Sequence, residues 1–387
     1  LPTGVHLSEA SERLLNEEAN CLPFTLFYEQ GSAIVWTSFD PNSPIKVGDE
    51  VVKINGRAIQ AIYDGLLGSI PMDGYNQTGK YRLIQYAFPE LYRNIIEVAS
   101  EFEVELANGK VHQLKAVKKE MTFSYRDITN QALSLNIIDN IALIKIPSFA
   151  NSYLKSHGQK FRKEIKRHLK TIREKDINTL VFDVRGNTGG SDSNPAWLSA
   201  FFFEESYGYW DRIEVTPALA ADITGFNRIF YGKPNCEGEQ CLWSDKGLLS
   251  KEFKFTNVQK PAKAPFEGTV YILTDGMCLS SCADFVAIMQ ANKKALIIGE
   301  ETGGGYQGNT SGLIPSEPLD CGLMVDVPLL KYYNQVEKGK HIGRGTIPDI
   351  EWLPNLDALT DDSDYLDQVI QLIHKDTKRV GSTLTSD

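Results

Sequence analysis

Apolar positions come in short runs between turn residues over the first third of the chain. Five of these runs have the length and residue types of β-strands: Phe24–Tyr28, Ala33–Thr37, Glu50–Ile54, Phe102–Leu106 and Val111–Ala116. The last two runs flank Asn108-Gly109, a dipeptide typical of tight hairpin turns. The pattern therefore predicts a small β-rich domain.

Strand-like and helix-like runs alternate along the rest of the chain. The predicted strands are Ile141–Ile146, Leu180–Val184, Val270–Thr274 and Ala295–Ile298. Apolar residues at helical spacing predict helices that contain Ile165, Val286 and Ile370. Residues 205–260 show no clear period, and we expect them to form an irregular surface insertion. Alternation of this kind is typical of an α/β domain.

These patterns divide the 387 residues into four segments. In chain order they are a helical N-terminal segment over 1–20 with its helix at Ser8–Glu18, a β-rich domain over 21–121 with an insertion at Asp73–Asn94, an α/β domain over 130–356, and a C-terminal helical segment over 357–387. A chain of this length has room for two or three domains.

Charge and hydropathy narrow the classes of function. Fifty acidic and forty basic residues give a formal net charge of −10. This argues against nucleic-acid binding, because that needs a basic surface. No apolar run reaches the roughly 18 residues of a membrane-spanning helix. The sequence starts at Leu1 with no visible signal peptide, so we expect a mature or trimmed form.

The six cysteines are too few for a disulfide scaffold in a chain this long. Cys236 and Cys241 lie close together in a polar stretch, where a local disulfide is one of two options. We expect Cys278, Cys282 and Cys321 to be buried thiols, because they lie in or beside apolar segments. No Cys/His spacing matches a zinc site.

A glycine-rich loop follows the predicted strand Leu180–Val184. Its residues are Arg185-Gly186-Asn187-Thr188-Gly189-Gly190. Glycines let the backbone approach a ligand closely and point N–H groups toward it. A tight strand-to-helix turn without a ligand explains the same residues. A P-loop is excluded, because no Gly-Lys-Ser/Thr follows.

Ser280 falls where a helix begins, just after the predicted strand Val270–Thr274. A serine at this position commonly caps the helix with its side chain. The same position suits a nucleophile, since free N–H groups and the helix dipole stabilise an oxyanion that forms there. Both interpretations remain open on the residues alone.

Residues 22–118 resemble a PDZ domain. The similarity rests on the Val47-Gly48-Asp49 turn and on the Ile54-Asn55-Gly56 turn that follows the next strand. A generic small β-domain is the alternative. The resemblance implies that an extended peptide binds by adding a strand to an open sheet edge.

The glycine-rich loop and the serine turn together resemble the C-terminal-processing, or tail-specific, family of serine peptidases. Members carry a D-[LV]-R-x-N-x-G-G loop, a serine nucleophile turn and a strand that ends in G-E-x-T-x-G. The corresponding residues here are Asp183–Gly190, Cys278–Ser281 and Gly299–Gly305, in the same order. The likeness covers about residues 22–356. It implies a crotonase-like α/β peptidase domain preceded by a PDZ-like domain, with no metal and no organic cofactor.

The resemblance also implies a role for particular residues of the turn and the loop. Ser280 matches the family nucleophile. The backbone N–H of Ser281 matches one oxyanion donor, and the loop at Gly189 or Gly190 supplies the other. Losing one such donor typically costs roughly 3–4 kcal/mol of transition-state stabilisation.

The general base is harder to place. The bacterial Ser–Lys branch has its lysine where this chain has Gly305, so the chain looks more like the tricorn-like branch, which uses a histidine assisted by a glutamate. The family histidine precedes the PDZ domain, where His6 is an imperfect match. A different register puts Pro2 at that position, or the motif is absent. Glu337 is the nearest candidate for the glutamate.

Five other histidines compete with His6 for the role of base. His341 lies near the late family segment Gly345–Asp349 and is the next candidate. We expect the remaining ones to be solvated or structural: His112, His157, His168 and His374.

The sequence therefore predicts an exported serine endopeptidase that cleaves peptides or protein C-terminal regions through an acyl-enzyme on Ser280. Its expected partner is a peptide or an unfolded protein, without nucleic acid or a membrane span, and its oligomeric state stays open. The expected location is periplasmic or extracellular, with surface anchoring as an option. A catalytically inactive peptide-binding homologue is the first alternative, and a crotonase-type acyl-CoA enzyme is the second.

Overall fold

The computed structural model describes residues 4–29, 31–122, 131–243, 248, 251–312, 314–353 and 367–375. The strands are β1 (Gly4–Leu7), β2 (Phe24–Glu29), β3 (Ser32–Ser38), β4 (Val51–Ile54), β5 (Arg57–Ala58), β6 (Glu101–Leu106), β7 (Val111–Lys115), β8 (Ser134–Ile138), β9 (Ile141–Lys145), β10 (Thr179–Asp183), β11 (Trp210–Val215), β12 (Asn235–Glu237), β13 (Gln240–Leu242), β14 (Thr269–Thr274), β15 (Leu296–Gly299), β16 (Gly308–Ser311), β17 (Ser316–Pro318), β18 (Leu323–Asp326), β19 (Leu330–Asn334) and β20 (Ile350–Glu351).

The α-helices are α1 (Glu9–Asn16), α2 (Ile59–Ser69), α3 (Thr78–Leu91), α4 (Asn151–Ser156), α5 (Phe161–Glu174), α6 (Ser193–Ser199), α7 (Pro217–Asp222), α8 (Gly225–Tyr231), α9 (Ser281–Ala291) and α10 (367–375). The chain forms two compact units. The first comprises Leu1–Glu18, Leu67–Tyr86 and Phe123–Glu351, and the second comprises Ala19–Leu66, Ala87–Thr122 and Trp352–Asp387.

A six-stranded sheet in the order β20-β15-β14-β10-β9-β8 lies in the first unit. Its strands pair in parallel except β8, which runs antiparallel to β9 at one edge. The inner strands are continuous apolar runs, as expected for parallel strands that are covered on both faces. In β10, four of the five residues are buried. The strands predicted from the apolar runs lie within one residue of those observed.

Helices complete the core around this sheet. The apolar residues of α5 that recur at helical spacing are all buried: Phe161, Ile165, Leu169 and Ile172. They join one hydrophobic cluster with residues of β10, β14 and α9. The predicted helices around Ile165 and Val286 are therefore present, and the α/β character of this region is confirmed.

A second sheet of the first unit corrects the expectation for residues 205–260. Its order is β12-β13-β11-β19-β16, so β11 from this region is the central strand. Only Trp210, Ile213 and Val215 of β11 are buried, and its register shifts after Trp210. This irregularity breaks the two-residue period, which explains why the strand was not predicted.

A three-stranded sheet, β1-β18-β17, holds the start of the described chain. The N-terminal segment is thus not wholly helical, because β1 precedes α1 and pairs antiparallel with β18. The helix itself covers Glu9–Asn16, a shorter span than predicted. Pro2 lies outside the described residues.

The second unit contains the β2-β3 pair and a four-stranded sheet in the order β5-β4-β6-β7. All five strands predicted here from short apolar runs are present. Tyr63 of α2 is buried and stacks against Tyr28 and Phe88, with ring centroids 4.0 and 5.9 Å away. The predicted insertion Asp73–Asn94 contains α3, whose helical geometry breaks at Ala87.

The C-terminal helix of the second unit is described over 367–375. Val369, Ile370 and Ile373 are buried on it, as the helical spacing predicts. The rest of the segment predicted over 357–387 lies outside the described residues. Within the described parts of the chain, no helix has the length and apolarity needed to cross a membrane.

The cysteines follow the sequence expectations with one exception. Cys236 and Cys241 form a disulfide between β12 and β13. Cys278 and Cys282 are buried thiols. Cys321 is exposed rather than buried, because it lies in the turn between β17 and β18.

Candidate active site

Two loops meet at one edge of the six-stranded sheet. The strands β10 and β14 are parallel neighbours, with Asp183 opposite Leu273. Because parallel strands end at the same edge, the loop after β10 and the turn after β14 lie side by side. The first is the glycine-rich loop 184–190, and the second leads to Ser280.

Ser280 has a strained backbone and a free hydroxyl. Its φ is 51° and its ψ is −132°, a region that side-chain-bearing residues rarely adopt. The side chain does not cap α9, and the hydroxyl makes no hydrogen bond within the described residues. The residue is only partly buried. The capping interpretation is therefore wrong, and the turn presents this hydroxyl instead.

Ser281 offers a free backbone N–H beside that hydroxyl. It is the first residue of α9, where N–H groups have no partner within the helix. No acceptor for this N–H lies among the described residues. The hydroxyl of Ser281 is buried and also has no partner. The positive end of the helix dipole adds to the attraction for an anion here.

Asn187 holds the glycine-rich loop against the serine turn. Its side-chain amide donates to the Ile146 carbonyl at 2.9 Å, and its side-chain oxygen accepts the N–H of Gly189 at 2.8 Å. Its backbone carbonyl accepts the N–H of Leu279, the residue before Ser280, at 3.2 Å. Asn187 is fully buried. The asparagine of the loop motif therefore has a structural task that the sequence did not reveal.

Gly189 packs directly against the serine. A Cβ built on it would lie 2.9 Å from the Cβ of Ser280 and 3.0 Å from the N of Ser281. Its φ of +97° also disfavours a side chain. Gly189 has already given its N–H to Asn187. Gly190 is exposed, and its N–H has no partner in the described part of the chain.

Asp275 links the same two loops from below and was not singled out in the sequence. Its Oδ1 accepts the N–H of Gly186 and the N–H of Met277, both at 3.0 Å. Burial raises the pKa of Asp275 to about 6, and the charge of Glu300 adds to this, while Gly186 N–H opposes it. An acidic residue after a strand gives no sequence signal that separates this role from a turn.

Asp183 and Arg185 form an ion pair at the start of the glycine-rich loop. The Nε and Nη2 of Arg185 donate to the two carboxylate oxygens, both at 3.0 Å. Burial alone would raise the pKa of Asp183, but the guanidinium of Arg185 outweighs it and the pKa is lowered. The pair keeps a carboxylate charged at the end of β10.

A second glycine-rich loop follows β15 and also approaches the serine turn. Gly304 donates its N–H to the carbonyl of Cys278 at 3.0 Å, and a Cβ built on it would lie 3.2 Å from the N of Ser280. Gly305, at the position of the lysine in the Ser–Lys branch, donates its N–H to Asp73 at 3.2 Å.

Two ion pairs fasten this second loop. Glu300 binds Arg82 of α3 through two contacts of 2.6 and 3.0 Å. Glu301 accepts from Arg344 at 2.9 Å and from the N–H of Gly345 at 2.7 Å. Burial would raise the pKa of Glu301, but these bonds lower it overall.

A cavity of about 330 Å³ opens beside Gly305. His341 and Tyr332 line it, together with Asp73 and Asn309. The His341 ring meets the Tyr306 ring edge-on at 4.9 Å, and its nitrogens have no hydrogen-bond partner within the described residues.

Nearby charges act on His341. Burial and the charges of Lys340 and Arg344 lower its pKa, and the carboxylates of Glu301 and Glu337 partly oppose this. Glu337 is exposed, and its backbone carbonyl accepts a hydrogen bond from Gln307 at 2.8 Å. The structure thus brings Glu337 into the surroundings of His341.

His6 lies on a different sheet. It pairs with Met324 across β1 and β18, and its Nε2 is 3.3 Å from Asp326 Oδ1. The Ser280 hydroxyl makes no hydrogen bond to His6, His341 or Glu337 within the described chain.

The other histidines are not close to Ser280 through any hydrogen bond in the described residues. His168 is buried on α5, and burial lowers its pKa. His157 follows α4 rather than lying on the basic helix, and it contacts Tyr153. His112 lies on β7 and His374 on α10. No group of His, Cys, Asp and Glu among the described residues is arranged to hold a metal ion.

Comparison with known proteins supplies the family. The sequence profile of peptidase family S41 matches residues 140–352, more than half of the chain. The chain belongs to peptidase family S41. The predicted class of enzyme, a serine-type peptidase, is thereby confirmed.

Solved structures of CPAF share the fold of this S41 peptidase. Mature CPAF matches with a TM-score of 0.66 and 15% identity over 92% of this chain and 82% of that chain. CPAF complexed with lactacystin gives 0.66 and 14% over 92% and 83%. A serine-to-alanine mutant of CPAF gives 0.63 and 12% over 95% and 86%. At such identities the likeness concerns the fold alone.

Proposed function

We propose that this S41 peptidase is an endopeptidase that cleaves peptides or protein C-terminal regions through an acyl-enzyme on Ser280. One observation carries the proposal. The strained turn presents an uncapped hydroxyl at the start of α9, beside the unpartnered N–H of Ser281. Strain of this kind persists where function requires it.

The chemistry follows from these groups. The Ser280 oxygen attacks the scissile carbonyl while a base takes the hydroxyl proton. The N–H groups of Ser281 and Gly190 hold the oxyanion, since both lack protein partners. The C–N bond then breaks, the leaving amine takes the proton, and water hydrolyses the ester. Gly189 is the close-packed residue between them, and its own N–H stays with Asn187.

Two histidines compete as the base in this proposal. The family resemblance favours His6 with Glu337 as its assistant. The position of His341 favours the alternative, because its ring is unpartnered, lines the cavity beside Gly305 and lies near Glu337. Catalytic hydrogen bonds are often long without substrate and tighten when it binds, so neither is excluded by geometry.

Labelling with a fluorophosphonate probe tests the nucleophile. We expect Ser280→Ala to abolish probe labelling and peptide hydrolysis while the chain stays folded, because the side chain makes no hydrogen bond that the fold needs. Ser281→Ala is the matched control. Its hydroxyl is buried without a partner, and the backbone N–H remains, so labelling should persist. Full labelling of Ser280→Ala would remove Ser280 from the mechanism.

The base is tested with His6→Ala and His341→Ala. The variant that removes the base should lower turnover by about 10²-fold or more. If His341 is the base, activity should hold to a pH below the usual histidine range, because its lowered pKa keeps the ring neutral there. Normal turnover in both variants would eliminate both histidines.

Further parts of the proposal concern architecture and location. We infer a crotonase-like peptidase domain and a PDZ-like domain, supported by the parallel sheet and by the β4-β6-β7 sheet with its turns. Export to the periplasm or the extracellular space is supported by the Cys236–Cys241 disulfide, because such bonds persist in oxidising compartments. A peptide or unfolded protein is the partner. Labelling of the wild-type chain also separates this proposal from an inactive peptide-binding homologue.

A further inference from the structure

A buried carboxylate lies one helical turn after Ser280. Asp284 is on the first turns of α9 and is 1% exposed. Its backbone N–H donates to the carbonyl of Ser280 at 3.1 Å. A charged group in such a place needs several donors, because burying a carboxylate without them is very costly.

Three side chains from the second sheet supply those donors. The Nδ2 of Asn309 lies 2.9 Å from both carboxylate oxygens of Asp284, and the indole Nε1 of Trp210 lies 3.3 Å from one of them. The amide of Asn334 makes the third contact. All three donors are buried, and they come from the adjacent strands β16, β11 and β19.

The amides of this cluster are committed to the carboxylate. Their oxygens, Asn309 Oδ1 and Asn334 Oδ1, are buried without partners, so the N–H sides face the acceptor at the cost of the oxygen sides. Asn334 also donates to the carbonyl of Tyr306, beyond the second glycine-rich loop. The carboxylate is therefore the point at which the start of α9 is joined to the second sheet.

We propose that Asp284 is a positioning residue, which fixes the first turn of α9 and so sets the direction of the Ser280 hydroxyl and the Ser281 N–H. This inference rests on the proposed function of Ser280. Asp284 does not touch the reacting atoms. It acts through the helix turn that carries them, and small displacements of a reacting group cost a large part of the rate.

The test is saturation labelling with the fluorophosphonate probe, which separates the maximal labelling rate from the apparent probe affinity. The variants are Asp284→Asn, which keeps the shape and removes the charge, and Trp210→Phe, which removes one donor and folds more safely. Glu164→Gln is the matched control, because Glu164 is a buried carboxylate on α5 that binds Arg167 and lies outside this cluster. Melting temperatures are measured for all.

We expect Asp284→Asn to lower the maximal labelling rate by about 10- to 100-fold with little change in apparent affinity. Trp210→Phe should lower it less, and Glu164→Gln should lose stability while labelling at the wild-type rate. Wild-type labelling rates in Asp284→Asn and Trp210→Phe would overturn the positioning role while leaving Ser280 as the nucleophile. A wild-type chain that takes no label at Ser280 would overturn the proposed function, and this inference with it.

Discussion

Two glycine-rich loops reach the Ser280 turn, and they differ in what happens to their backbone N–H groups. The loop after β10 leaves the N–H of Gly190 exposed and without a partner in the described chain. The loop after β15 donates the N–H groups of Gly304 and Gly305 to Cys278 and Asp73. The first can therefore receive an oxyanion, whereas the second holds the turn in place.

The same difference extends to the carboxylates that support the loops. Asp275, below the first loop, is held by two backbone N–H groups and has a raised pKa. Glu301, in the second loop, is paired with Arg344 and has a lowered pKa. Glycine content thus says little about function. The partner of each N–H and each charge decides which loop carries chemistry and which one carries stability.

The largest expected effect concerns the second loop. Arg82→Gln should lower the free energy of unfolding by about 3–5 kcal/mol, because it leaves Glu300 buried and unpaired. The labelling rate of the folded fraction should stay near that of the wild type. Urea denaturation and probe labelling measure the two quantities.

Lys170→Gln is the control for this substitution, since Lys170 and Glu174 form an exposed pair that should contribute less than about 0.5 kcal/mol. A fold-neutral Arg82→Gln that loses labelling would reverse the assignment of the second loop.

A somewhat smaller effect, on rate instead of stability, is expected in the first loop. In Gly189→Ala the new Cβ would press on Ser280 at 2.9 Å. We expect the maximal labelling rate to fall by about 10²- to 10³-fold, the effect of losing one oxyanion donor. Stopped-flow or gel-based labelling measures the rate.

Gly268→Ala serves as a control for steric strain. Its Cβ would lie 2.1 Å from the carbonyl of Asn178, a contact that does not involve Ser280. This variant should lose stability and keep its labelling rate per folded molecule. Equal rate losses in Gly189→Ala and Gly268→Ala would show that strain alone explains the effect.

The smallest expected effect is a pH dependence of stability with opposite signs for the two loops. The folded-state pKa of Asp275 is about 6, above its ordinary value, so the folded state takes up this proton first as the pH falls. The free energy of unfolding should rise between pH 7 and 5, by up to roughly 3 kcal/mol. Asp284, also at about 6, adds in the same direction.

The lowered pKa values of Glu301 and Asp183 act at lower pH. Their stabilisation is present above their unfolded-state pKa values and is lost as the pH falls through the folded-state values. Stability should therefore pass through a maximum near pH 5. Thermal melts at a series of pH values measure this curve, and Asp275→Asn should flatten its upper limb. A monotonic loss of stability from pH 7 downward would contradict the raised pKa of Asp275.

The sequence was enough for the elements whose signal is local. Continuous apolar runs predicted β10, β14 and β15 within one residue, since buried parallel strands need no other pattern. Ser280 was also accessible from the sequence, because a motif fixes its place between a strand and a helix.

What could not be predicted depends on contacts between distant residues. β11 was missed, because its register shift breaks the period of two. Asp275 and Asp284 gave no signal, since each matters through donors that lie far away along the chain or on another strand. Whether Gly189 or Gly190 has a free N–H was likewise decided by one side chain, Asn187. The base remains a prediction for the same reason.

The exposed thiol of Cys321 gives experimental access to the segment that carries His6. All six cysteines lie in the described part of the chain, and the other three free ones are buried. The next residue, Gly322, accepts hydrogen bonds from the backbone of Ser8 and the hydroxyl of Ser11. A maleimide fluorophore attached to the native protein at Cys321 would therefore act as a spectroscopic reporter of whether this N-terminal segment stays docked during turnover, without any engineered cysteine.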